Sequence, residues 1–188
     1  MYKRQAVLLA SGCVHSVYSA FTSDTAVTDP ALNGVWSSPD AEDAWEFSDG
    51  LDGVYTLVQT DAEGLSGEFI AGLFEVDGYR FIDLFPMTEQ FNHGEQNPFY
   101  TYHFMPMHTI MLVKQVEPEL ILSMMDPEWV DSYLLDFPDA VPHEYADYLL
   151  LTGYPEELQD FLAEIAPLEG AFLDSEPMQR VELPAIAE

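Results

Sequence analysis

Turn-forming residues recur at hairpin spacing through the middle of this chain, and that spacing constrains the fold more than any other feature. Residues 44–47 (AWEF) run into SDGLDG, residues 54–59 (VYTLVQ) into DAEG, and residues 67–76 (GEFIAGLFEV) into Asp77-Gly78. Asp-Gly between strand-like segments is the strongest short-range hairpin signal, because both residues tolerate the positive φ that a two-residue turn needs. Residues 79–85 (YRFIDLF) then form the returning strand, and a further pair, 109–116 and 120–125, turns at Glu117-Pro118. More strands are expected at 145–152 and 179–183. The expected fold is mainly β (α+β), either an antiparallel meander or a small closed barrel.

Two short helices interrupt the pattern. Asp126-Pro127-Glu128 supplies an N-cap, a proline for the first helical position and an acid for the first turn, ahead of Trp129, Val130, Tyr133, Leu134 and Phe137. The second helix opens at Pro155-Glu156-Glu157 and sets Leu158, Phe161, Leu162 and Ile165 on one face.

A length of 188 residues fits one domain, and 48% hydrophobic residues supply its core. Its charge is one-sided: 34 acids against five Lys or Arg. Such a surface repels phosphate backbones and anionic headgroups, which excludes nucleic acid as a partner and membrane binding through a basic patch.

The single cysteine, Cys13, follows Lys3, Arg4, an apolar run at 6–10, Ser11 and Gly12. A positive start, an apolar stretch and small residues are the order of a secretory signal, although this run is shorter than a normal signal core. Ala10-Ser11-Gly12-Cys13 resembles the lipobox of bacterial lipoproteins, with Ala10 where Leu is commonest. That resemblance implies a signal remnant over 1–12, acylation of the Cys13 sulfur by a palmitate-type lipid, and residence in the cell envelope. Val14 in place of Asp after the cysteine implies the outer membrane where the host has one. Met1 to Gln5 resembles a translated sequencing adapter, which would make Ala6 onward the tail of a longer signal. The competing reading is a buried thiol in a cytosolic protein. Residues 13–30, rich in Ser, Thr and Ala without a period, read as lipid anchor and tether, and 31–188 as one β-rich domain.

Asn33-Gly34-Val35-Trp36 resembles the Gly-x-Trp that opens the first strand of lipocalins, where the Trp packs across the closed end of a small barrel. The resemblance gives Gly34 and Trp36 those places; the alternative is that Trp36 is an ordinary core residue. The helix-bearing C-terminal segment is similar to uncharacterised bacterial envelope lipoproteins, which implies no activity.

The most suggestive chemistry lies at 103–108 (HFMPMH). In an extended chain His103, Met105 and Met107 share a face beside His108, and thioether with imidazole suits Cu(I). The bland reading, methionine as core filler beside Pro106 in a loop, is the preferred one, so no metal is expected. Residues 87–102 read as a long loop carrying Phe91, Phe99, Tyr100 and Tyr102, more a surface loop than a ligand lid. No catalytic residue is assigned: Gly64-Leu65-Ser66-Gly67-Glu68 misses the last glycine of a nucleophile elbow, and His143 reads as a turn residue. Neither a cofactor nor catalysis is expected. The expected role is a lipid-anchored envelope protein that binds a ligand, of which a small apolar one is the sharper version. The alternative is a structural or assembly lipoprotein acting through protein contacts. An open or a filled interior separates the two.

Overall fold

The structure, a computed structural model, describes residues 13–39, 43–87, 105–145 and 149–181. Its centre is an eight-stranded antiparallel sheet. Strand β1 (His15–Ser16) lies outside it; a single 3₁₀ turn at Pro30–Leu32 leads into β2 (Gly34–Ser37). There follow β3 (Ala44–Leu51), β4 (Val54–Thr60), β5 (Ser66–Val76), β6 (Tyr79–Pro86), β7 (Thr109–Gln115) and β8 (Ile121–Met124). Neighbours in sequence are neighbours in the sheet, as the turn spacing predicts, and β11 (Gln179–Val181) pairs with β2 at the other edge. Asp52-Gly53 and Asp77-Gly78 all have positive φ, which matches their turns to the right-handed twist of the strands they join. Strand β3 runs farther than expected, to Leu51, because a bulge at Asp49-Gly50 absorbs the first glycine of SDGLDG.

The sheet curls into a half-barrel whose edges meet at one point. Leu120, just before β8, exchanges two backbone hydrogen bonds of 2.9 Å with Met178, just before β11. The concave side is packed: Trp36, Leu57, Ala71, Leu73, Ile82 and Leu120 have no accessible surface, and Phe47 and Tyr55 have 1%. A gap able to hold a water would give these side chains accessible area. At their level the interior is therefore solid, with Trp45, Phe69 and Met124 only partly covered beside it.

The convex side of β5–β8 is buried as well. Helix α1 (Pro127–Asp136) and helix α2 (Pro155–Ile165) lie over Phe74, Phe81, Ile110 and Leu112. Four α2 side chains, Leu158, Phe161, Leu162 and Ile165, are fully buried. Their transfer from water stabilises by about 6–12 kcal/mol as an upper estimate. Asp126 caps α1 by accepting from the Glu128 and Trp129 amides, as its sequence predicts.

Two expectations need correction. The strand expected at 145–152 is two short strands, β9 (His143–Tyr145) and β10 (Leu149–Leu151), folded back on each other in a separate three-stranded sheet with β1. The tether expected from residue 14 to residue 30 is instead a packed strap. Val14, Ser16 and Ala20 are buried, β1 pairs in parallel with β10, and Ala26 bridges Phe74. A strap that binds through its backbone needs no apolar period, which is why the composition of this segment concealed it.

Candidate functional site

Two constellations hold the polar chemistry of the described residues. The first lies at the β2–β11 edge of the half-barrel. Trp36 is fully buried and donates its indole N–H to the Leu32 carbonyl at 2.8 Å, while the Arg180 guanidinium lies 4.4 Å above its ring. Arg180 stands directly opposite Trp36 in the β2–β11 ladder and donates to the carbonyls of Asn33 and Ala31, each at 2.6 Å. Gly34 has φ of +133°, and a Cβ there would run into that guanidinium, so the position suits glycine alone. Next to it Asp29 caps the 3₁₀ turn, pairs with Arg80 at 2.7 Å, and exchanges backbone hydrogen bonds with the Tyr55 hydroxyl. Burial pushes the Tyr55 phenol above its ordinary pKa.

The second constellation lies on the convex face. Asp83 in β6 points outward between Phe81 and Phe85 and is 3% exposed. Its Oδ2 accepts from the Ser19 hydroxyl at 2.7 Å, the Ala20 amide at 2.8 Å and the Phe21 amide at 3.3 Å. Its Oδ1 lies 2.7 Å from His108 Nδ1. A carboxylate removed from water is tolerated only when donors replace its hydration, and here four do so. His15, on β1, has its pKa lowered by burial against a smaller opposing effect from its hydrogen bond to the His108 backbone.

Of the Met and His residues singled out from the sequence, Met105 and His108 lie within the described residues and have different surroundings. His103 lies outside the described residues, as do residues 88–102 of the aromatic loop. Met105 is exposed, whereas the His108 ring is stacked 4.5 Å from Phe85 with Nδ1 turned to Asp83. Among the described residues no three His, Cys, Asp or Glu side chains converge as metal ligands. Asp83 was missed in the sequence. Its one visible signal is a lone acid in the otherwise apolar run FIDLF, while its partners lie 25 residues downstream and more than 60 upstream. Cys13 is exposed and immediately precedes the buried Val14.

The three cations after Cys13 are all engaged: Arg80 with Asp29, Arg180 with Trp36 and two carbonyls, and Lys114 with the Leu173 carbonyl at 3.4 Å. The remaining surface is dominated by carboxylates. No described helix is long and apolar enough to cross a membrane. The chain matches no protein family, no characterised protein and no solved structure.

Proposed function

We propose that this chain is a lipid-anchored envelope protein, acylated at Cys13, that acts through protein contacts on its outer surface and not by carrying a small apolar ligand. The filled concave side carries this reading. Small barrels that hold a ligand keep an apolar void inside, whereas here Trp36, Phe47, Tyr55, Leu57, Leu73 and Ile82 occupy that volume. The role is non-catalytic: the one buried acid–histidine pair among the described residues, Asp83 with His108, spends its carboxylate on backbone amides and the Ser19 hydroxyl, groups that hold chain in place. With its cations engaged internally, the surface favours a partner that presents basic side chains.

Two measurements test the reading. In bacterial cells supplied with a labelled fatty acid, the chain behind a complete signal should take up label and sediment with membranes, and Cys13→Ser should lose both. An unlabelled, soluble wild-type protein removes the anchor. Native mass spectrometry of the periplasmically produced protein should show the mass of the chain with its acyl group and nothing more. A stable additional apolar mass restores the ligand-carrier reading, with the partly covered Trp45, Phe69 and Met124 as the place to look.

A further inference from the structure

We infer that residues 14–28 are a rigid mount latched by Asp83, which fixes Cys13 at one place on the domain. The strap is tied along its whole length. Ser16 exchanges backbone hydrogen bonds of 3.0 and 2.9 Å with His108, and the Val17 amide donates to Leu151 at 3.0 Å. Farther on, Thr25 accepts from the Glu75 amide at 2.9 Å, Val27 donates to Leu73 at 3.0 Å, and the Thr28 hydroxyl accepts from the Gly53 amide at 3.1 Å. Helix α2 holds it from above, since Gln159 Nε2 donates to the Ala20 carbonyl at 2.7 Å.

Asp83 is what makes these contacts act together. Three of its four donors belong to the strap, and the fourth, His108, is the residue that pairs with β1. If residues 19–21 lift away, the carboxylate loses most of its donors while His108 and the apolar floor of Phe74 and Phe81 are uncovered. The strap therefore docks or leaves as one unit. Gly72, directly opposite Asp83 in the β5–β6 ladder, supplies the space in which the Phe21 ring lies.

The consequence concerns reach. A 17-residue free tether would let the domain range about 60 Å from its attachment point, whereas one peptide unit between Cys13 and buried Val14 allows about 4 Å. An acyl chain on Cys13 would then hold the domain close to the bilayer by its Cys13 side. This use rests on the acylation proposed above; the rigidity does not.

Cys13 is the single cysteine of the full chain, so a nitroxide label can be placed there without further mutation. In the unlipidated full chain the label should tumble with the domain. Asp83→Asn should add a component with nanosecond tail motion and speed hydrogen exchange at the Ala20 and Phe21 amides by about ten- to a hundredfold. If Asp83→Asn does not fold, the double variant Ser19→Ala, Gln159→Ala removes strap contacts without altering the sheet, and should give the same release. A freely mobile label in the wild-type chain overturns the mount, and so does unchanged exchange at Ala20 and Phe21 in the variant that folds. Failure of Cys13 to be acylated in cells would remove the anchor and leave these results standing.

Discussion

Gly72 lies beneath the ring of Phe21, so closely that a Cβ added there would stand 2.6 Å from the nearest ring carbon. Gly72→Ala should therefore displace Phe21 and lower stability by about 1–3 kcal/mol, the usual cost of overpacking a tight contact. Denaturant unfolding measures the loss. The same variant should mobilise a label on Cys13, since Phe21 and the strap move together.

Arg180 should matter more than an exposed arginine usually does. Arg180→Ala removes a stacked cation and uncovers the carbonyls of Asn33 and Ala31, a loss of about 1–3 kcal/mol by denaturant unfolding. Arg180→Lys should recover less than half, because an ammonium cannot serve both carbonyls while lying flat on Trp36. Burial of Trp36 gives a second readout: its fluorescence should shift to the red in Arg180→Ala.

His15 predicts a pH dependence whose sign is set by its lowered pKa. Below the ordinary value of 6.5 the unfolded chain takes up a proton at this position more readily than the folded one. The contribution of neutral, half-buried His15 is complete above 6.5 and is lost as pH falls from there through the depressed folded value. Comparing stability at about pH 7.5 and about pH 5.5, His15→Gln should show a smaller loss than the wild type. Equal losses would mean that other groups set the slope.

Charge predicts a dependence on salt. After Cys13 the chain carries three bases against 34 acids, and the three bases are held by neighbours. Self-repulsion among the carboxylates should be relieved as ions screen them, so the melting temperature should rise steadily from about 0.02 to about 0.5 M NaCl. A flat or falling curve would show that the carboxylates are spaced widely enough to ignore one another.

The strand order was legible because local chemistry set it. Asp77-Gly78 turns where the sequence predicts, and Pro127 and Pro155 each open a helix. What escaped were features made by distant residues. Nothing near Asp83 in the sequence names Ser19 or His108 as its partners, so HFMPMH read as a loop segment with no sign that its last histidine faces a buried carboxylate. The strap escaped for a related reason: its bonds are made by backbone groups, which every residue type carries alike. Residues 145–152 failed differently, because an apolar run does not say whether the chain continues or folds back.

The meeting of the two sheet edges also sets an order of events. Trp36 is covered by Arg180, and β11 pairs with a strand that left the ribosome more than 140 residues earlier. Contacts of such separation come late and slowly. A chain still being synthesised thus holds its first tryptophan uncovered until β11 has emerged. Removal of residues 179–188 should therefore leave β2 without its outer partner and Trp36 without the Arg180 guanidinium above it.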